Sequence, residues 1–294
     1  MEIRELKYFL AVANEGSISG AAEALFITQP SLSRQMQNLE REVGGALFER
    51  GNRKITLTER GKLLKKRAEE LMELYEKTVN DVSAPAHDVS GEVCIGGGES
   101  PAMKSVIRAA LNVKREHPKV KFKFFSGDAA AVFEKLDKGL IDFGVIIDAD
   151  ISGEYNALRL PLSDAWGALM RSDCKLAEKP FITPADLDGV PLICSDQSFA
   201  KGLIARWLGK DSDEIAITAT YNLLYVASQL VEEGAGVALS LEGIVNTKGS
   251  GLAFRRLEPQ ISTHIDVLWK KYALFSKPAE LFLSALKREC SRQK

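Results

Sequence analysis

The sequence predicts an α/β protein: a helical, locally basic N-terminal region, one long connecting helix, and a larger domain of alternating strands and helices. Three observations carry this reading. Up to Gly61 apolar residues recur at helical spacing with a single short hairpin, a heptad-like seam follows to about Ser83, and from Gly91 short β-rich runs alternate with amphipathic helices.

The first helix is read from Ile3, Leu6, Leu10 and Ala13, at spacings of 3, 4 and 3. The second follows Ser19, a good N-cap, with Ala21, Ala22 and Leu25 on one face. A third opens at Thr28 to Pro30, because a proline in the first turn lacks only an N–H that has no helical partner. Leu32, Met36, Leu39 and Val43 then form one buried stripe, and Gly44 with Gly45 stops the helix. At about 100° per residue, Pro30, Ser31, Arg34, Gln37, Asn38 and Arg41 point away from that stripe.

A polar outer face alone fits any surface helix equally well. The neighbours of this helix change the balance. Phe48 to Thr58 reads as a β-hairpin with Arg50, Arg53 and Lys54 around a Gly51-Asn52 tip. Between Thr28 and Arg67 ten Lys/Arg stand against four Asp/Glu, although the whole chain has a net charge of −1. Basicity is therefore local, as contact with a phosphate backbone requires. Side chains on one such helix can reach base edges in a major groove.

The run AAEALFITQPSLSRQMQNLE followed by LFERGNRKITLTERG resembles the winged helix-turn-helix of LysR-type transcriptional regulators, almost continuously from Leu6 to Gly61. The pattern fits at Ala21-Ala22, Leu25, Thr28-Gln29-Pro30, Ser33, Leu39-Glu40, Leu47-Phe48, Arg50, Arg53, Leu57-Thr58 and Gly61. The resemblance implies a DNA-binding domain over 1–58, with Gln29, Pro30, Ser31, Ser33, Arg34 and Gln35 at or near the groove and Arg50 and Arg53 on the wing. Thr28, Asn38 and Lys54 complete the candidates. The helical wheel places Ser33 and Gln35 on the flanks of the exposed face, whereas Arg34 is favoured by both arguments.

A length of 294 residues suggests about two domains, and 45% hydrophobic residues is ordinary for a globular chain. The N-terminus begins with the polar MEIREL, and no stretch approaches about 20 apolar residues, so a soluble cytoplasmic protein is expected. Cys94, Cys174, Cys194 and Cys290 lie far apart without a CxxC pair and read as buried reduced thiols. A redox pair between Cys174 and Cys194 is suggested only by one oxidant-sensing branch of the family. His87, His117 and His264 lack metal-ligand spacing, and neither metal nor cofactor is expected.

Thr58 is expected to cap a helix that runs to about Ser83, ended by Ala84-Pro85. Leu64, Ala68, Leu71, Tyr75 and Val82 form a seam about 36 Å long. The segment 59–90 is therefore assigned as linker and dimerisation helix. Packing of that seam on its own C-terminal domain is the alternative, and the family resemblance favours a homodimer, extended to a tetramer, on two-fold related half-sites in double-stranded DNA.

VCIGG, VKFKFF, IDFGVII, PLICS, AITAT and GVALS read as strands, with helices at 101–115, 198–208 and 223–233, so parallel sheets are expected. A strand end followed by a serine-bearing helix start occurs twice, in GGGESPAMK and CSDQSFAKG. The resemblance implies a two-lobed, Rossmann-like effector domain over 91–294, similar to type 2 periplasmic binding proteins. The chain would cross between lobes near residues 161 and 266, which gives lobe one 91–160 and 266–294, and lobe two 161–265.

Ligands of open α/β sheets bind beyond the carboxyl ends of strands. That selects Gly98, Glu99 and Ser100, then Ser126, Gly127 and Asp128, and from lobe two Ser195, Asp196, Gln197 and Ser198, with Tyr221 and Asn222 at lower weight. Ser100 before Pro101 reads equally well as a plain N-cap, and Asp128 as a cap of its own helix. A carboxylate at Glu99 would repel a ligand carboxylate or occupy its place. The expected co-effector is thus a small polar metabolite with an amine or several hydroxyls, amino acids included, rather than a simple dicarboxylate.

No catalytic constellation is visible. Gly96, Gly97 and Gly98 do not complete a dinucleotide fingerprint because Pro101 stands where its third glycine belongs, and neither a G-x-S-x-G elbow nor a P-loop lysine occurs. A freestanding solute-binding protein is the rival for the C-terminal part, but it has no use for residues 1–61, and an enzyme on the same two-lobed fold is weaker still. The favoured expectation is a regulator whose promoter binding is modulated by a metabolite in an interlobe cleft.

Overall fold

The computed structural model describes residues 1–50, 54–82, 89–151, 153–200 and 202–292. The chain divides into two compact units, Met1–Ser83 and Ala84–Lys294.

In the first unit, α1 (Ile3–Glu15), α2 (Ile18–Ala24) and α3 (Gln29–Glu42) enclose a small core. The buried face of α1 is Leu6, Phe9 and Val12, while Ile3, Leu10 and Ala13 are half-buried flanks. The expected stripe was centred one position off, because α1 packs on α2, α3 and a later helix at once and its apolar arc is wide. The cap of α2 is Ser17, whose Oγ accepts from the Gly20 N–H at 3.0 Å; Ser19 lies within the helix. Leu32, Met36 and Leu39 of α3 are buried and Val43 half-buried.

The hairpin pairs β1 (Phe48–Arg50) with β2 (Ile55–Leu57), antiparallel, Phe48 opposite Leu57. Its tip, including Arg53, lies outside the described residues. The Glu40 carboxylate of α3 accepts from the backbone N–H of Leu47 at 2.8 Å and of Phe48 at 3.2 Å, which fixes the hairpin to the helix. Thr58 Oγ accepts from the Gly61 N–H at 3.0 Å and so opens α4 (Glu59–Val82). Gly61 is required by close approach: a Cβ there would stand 2.1 Å from the Leu47 carbonyl oxygen.

The expected seam on α4 divides in two. Ala68 is fully buried and Leu64 half-buried in this unit's own core, so these two do not await a partner. Leu71, Tyr75 and Val82 are exposed, together with Leu74 and Val79, which complete their stripe. Heptad spacing identifies an apolar face but not which part of it the chain covers itself.

The second unit opens with β3 (Gly91–Gly97), α5 (Met103–Glu116), β4 (Val120–Ser126), α6 (Ala129–Asp137) and β5 (Phe143–Ile147), and β3 runs parallel to both β4 and β5. A 17-residue strand, β6 (Tyr155–Arg171), follows. Lobe two adds β7 (Leu192–Ser195), α7 (Asp196–Ala200), α8 (Leu203–Leu208), β8 (Ile217–Tyr221), α9 (Leu224–Glu232), β9 (Val237–Leu241) and β10 (Leu252–Arg256), with β7 parallel to β8 and β9. Return to lobe one is through β11 (Ser262–Lys270) and α10 (Lys277–Arg292), whose Phe282 and Leu286 are buried against Val93, Val106 and Phe143.

The strand order is β4-β3-β5-β11-β6-β9-β7-β8, with β10 on β6. The sheet is mixed rather than parallel throughout: β6, β10 and β11 pair antiparallel with their neighbours. From Tyr155 to Ala165, β6 pairs with β11, and from Trp166 onward with β9, so the outward crossing lies at 165/166. Since β11 pairs in lobe one from Ser262, the return precedes that residue, earlier than the expected 266. The helix expected at 198–208 is two pieces, α7 and α8, and Gly202 between them has φ +62, in the left-handed region that no continuing helix uses.

Candidate nucleic-acid interface and interlobe cavity

In the first unit Thr28, Gln29, Pro30, Ser31 and Arg34 are exposed along the N-terminal half of α3, with Ser33, Gln35 and Asn38 half-buried beside them. Two flexible side chains there are already engaged, Arg41 donating to Asn38 Oδ1. Among the described residues nothing pairs with the Arg34 guanidinium, which leaves its planar fork of donors available. Lys54 is exposed at the base of the wing; Arg50 belongs to β1, and Arg53 is outside the described residues.

Sequence reasoning passed over Phe26 in the turn before α3. Its side chain is 95% exposed and its φ is +55, a left-handed conformation that costs a bulky residue free energy.

In the second unit the carboxyl ends of β3, β5, β7 and β8 and the first turns after them surround a cavity of about 100 Å³. Lobe one contributes Gly98, Glu99, Gly127 and Asp128, and lobe two Ser195, Gln197, Ser198, Tyr221 and Asn222. Ser100 and Ser126 are not on its lining. Ser100 donates to the Asp164 carboxylate and accepts from the Ala102 N–H at 3.0 Å, while Ser126 ends β4 as an exposed residue. Burial holds the Asp164 carboxyl above the usual carboxylate range, and the Ser100 hydroxyl opposes that shift.

Glu99 crosses the cavity. Its Oε2 accepts from the Leu224 N–H at 2.5 Å, so a carboxylate from lobe one caps α9 of lobe two, whose own cap position, Leu223, offers no side-chain acceptor. Asp128 Oδ1 accepts from the Ala131 N–H at 2.9 Å and caps α6 while lining the cavity. The Tyr221 hydroxyl donates to the Leu239 carbonyl at 2.8 Å, and burial, then the nearby Cys194 and Glu99, raise its pKa well above that of a free phenol. Ser198 Oγ donates to the Ser195 carbonyl at 3.0 Å.

The apolar and remaining polar lining was missed: Ile147 and Asp148 at the end of β5, Trp166 at the strand crossing, and Leu203, Leu224 and Ile244. Asp148 follows a strand end, and the rule that selected Glu99 would have selected it too. Trp166 carried no such signal, because its place on the cavity depends on where β6 changes partners.

Cys94, Cys194 and Cys290 are buried, and burial pushes the Cys194 thiol up to about 12, which suits a structural thiol and not a reactive one. Among the described residues there is no His/Cys/Asp/Glu group able to hold a metal ion, and no helix is long and apolar enough to cross a membrane.

Residues 3–62 match the family model described as bacterial regulatory helix-turn-helix protein, lysR family, and residues 86–291 match the LysR substrate binding domain. The chain belongs to the LysR family of transcriptional regulators. It is 25% identical over 280 residues to the uncharacterized HTH-type transcriptional regulator YfeR of Shigella flexneri, spanning 95% of this chain and 91% of that one. To the HTH-type transcriptional regulator IlvY of Escherichia coli strain K12 it is 28% identical over 255 residues, 83% of each chain. In fold it is similar to CbnR, a LysR family transcriptional regulator, with a TM-score of 0.79 at 22% identity over 99% of both chains. As a LysR-type regulator it is a DNA-binding protein with an effector domain and not an enzyme.

Proposed function

We propose that α3 reads operator DNA through Thr28, Gln29, Pro30, Ser31 and Arg34, flanked by Ser33, Gln35 and Asn38. The wing bearing Arg50, Arg53 and Lys54 holds adjacent phosphates. The observation that carries this reading is the exposed N-terminal half of α3, with an Arg34 that is unengaged among the described residues, standing over a buried Leu32, Met36 and Leu39 stripe. Groove-reading helices use their N-terminal residues in this way. CbnR has been solved with its target DNA, which supports the same use of the shared fold.

The interlobe cavity is the effector site, with Gly98, Glu99, Gly127, Asp128, Ser195, Gln197, Ser198, Tyr221 and Asn222 on its lining. A small polar metabolite bound between the lobes changes how effector domains associate, and operator occupancy follows through the paired linker helices in a cytoplasmic homo-oligomer. Leu71, Tyr75 and Val82 supply the exposed part of the pairing face.

A gel-shift titration at two salt concentrations, with an operator selected from random duplexes and a scrambled control, tests the DNA reading. Arg34→Ala weakens operator discrimination by ~1–3 kcal/mol. Lys54→Ala weakens both duplexes alike and flattens the salt slope. Equal losses on both duplexes for Arg34→Ala would refute base reading.

A further inference from the structure

Lobe one reaches into lobe two at the turn that follows β3. There the Glu99 carboxylate accepts from the Leu224 N–H at 2.5 Å and meets the first residue of α9. That helix end has no cap from its own lobe. Asn222 Oδ1 accepts from the Leu223 N–H at 2.9 Å, one position too early, and Leu223 at the cap position carries no side-chain acceptor. A carboxylate on a helix N-terminus gains both a charge-assisted hydrogen bond and the attraction of the helix dipole. The same turn approaches lobe two a second time: a Cβ on Gly243, just beyond β9, would stand 3.4 Å from Pro101 Cγ.

The segment that carries Glu99 is also tied to the strands on which the lobes turn. Ser100 donates to the Asp164 carboxylate and accepts from the Ala102 N–H at 3.0 Å. Asp164 is buried on β6, two residues before that strand leaves β11 for β9. Its carbonyl accepts from Thr263 Oγ1 at 3.3 Å, so the returning strand β11 joins the same knot. Glu99 is therefore held by the crossing strands, whereas α9 moves with lobe two. Rotation of one lobe against the other must stretch the bond between Glu99 and Leu224.

We propose that Glu99 is a latch, by which the two lobes are held together through a side chain of the chain itself. Position 99 thereby fixes the resting balance between closed and open lobes. Its effect on DNA rests on the cavity being the effector site.

The test uses the full chain, with amide hydrogen exchange resolved to single residues and hydroxyl-radical labelling of Tyr221, which is 9% exposed and lines the cavity. In Glu99→Ala the Leu224 amide should exchange about tenfold faster or more, and Tyr221 labelling should rise at least about threefold. Tyr272, 87% exposed outside the cavity, should label unchanged. Glu99→Gln keeps an acceptor of the same reach and should fall between the two, which provides a second variant where Glu99→Ala fails to fold. Acetate replaces the carboxylate removed in Glu99→Ala, so it should slow Leu224 exchange and lower Tyr221 labelling in that variant, against chloride at equal ionic strength, and change neither in the unaltered chain. Unchanged Leu224 exchange in a folded variant would overturn the proposal. So would faster Leu224 exchange with unchanged Tyr221 labelling, because Glu99 would then be a local cap and not a latch.

Operator gel shifts on the same variants separate the two readings. Opening that leaves operator affinity unaltered upholds the latch and contradicts the effector role of the cavity. Altered operator affinity without increased Tyr221 labelling overturns the latch and leaves that role standing.

Discussion

Glu40→Ala removes a side chain of α3 that holds the backbone at the start of the wing, and its effect can be worked from two distances. The carboxylate accepts from Leu47 N–H at 2.8 Å and Phe48 N–H at 3.2 Å. Hydrogen bonds to a charged acceptor contribute about 1.5–3 kcal/mol each, and partial access of water to a half-buried site lowers the pair to about 2–3 kcal/mol in total. For a unit of this size about 4–8 °C accompanies each kcal/mol, so the melting temperature of the first unit falls by about 10–20 °C. Trp166, Trp207 and Trp269 all lie in the second unit, so tryptophan fluorescence follows that unit while calorimetry records both. The expected result is a calorimetric transition that moves down while the fluorescence transition stays. Glu40→Gln keeps an acceptor oxygen and loses the charge, and should cost about half as much. A shift below about 3 °C for Glu40→Ala would refute the reasoning, because it would mean that water replaces both bonds at no cost.

Phe26→Asn should raise the melting temperature of the same unit by about 4–8 °C, since asparagine tolerates φ +55 where a bulky residue does not; a lower melting temperature would show that the exposed ring stabilises the turn. Lys179 and the Thr183 backbone hold the Asp186 carboxyl at about 2, below its usual value of 3.8. The depressed value makes this contribution present above pH 3.8 and lost as pH falls to 2, so Asp186→Asn should cost about 1 kcal/mol at pH 7, after discount for solvent screening, and nothing below pH 2. Urea unfolding at both ends of that window checks it, and a pH-independent difference contradicts it. Leu71→Asp combined with Val82→Asp should weaken self-association by at least about tenfold in sedimentation equilibrium, because both residues lie on the exposed stripe of α4. An unchanged association constant would remove that stripe from the interface.

The two halves of this protein were unequally legible, for a reason that lies in contact range. Helix α3 could be read because its signals are local: Pro30 marks the first turn, and the buried Leu32, Met36 and Leu39 define by subtraction where Arg34 points. Glu99, Asp128, Ser195 and Tyr221 were found because strand ends are visible in the sequence and ligands collect beyond them. Ser100 satisfied the same rule and was misplaced, since its partner Asp164 is 64 positions away. The long strand β6 was missed because Pro161, Ser163 and Asp164 interrupt its apolar pattern, and only pairing with β11 and then β9 sustains it.

The sequence by itself determined the winged helix-turn-helix, the face of α3 that carries Arg34, the long helix α4, and the strand ends that border the cleft. Periodicity, caps and turn residues act over a few positions, and such interactions are written in neighbouring letters. Only the tertiary structure decided that Leu64 and Ala68 turn inward, that Trp166 lines the cavity, and that the Glu99 carboxylate caps α9 of the opposite lobe. Glu99 and Leu224 are 125 residues apart, and what joins them is the outward crossing of the chain along β6, which no local pattern specifies.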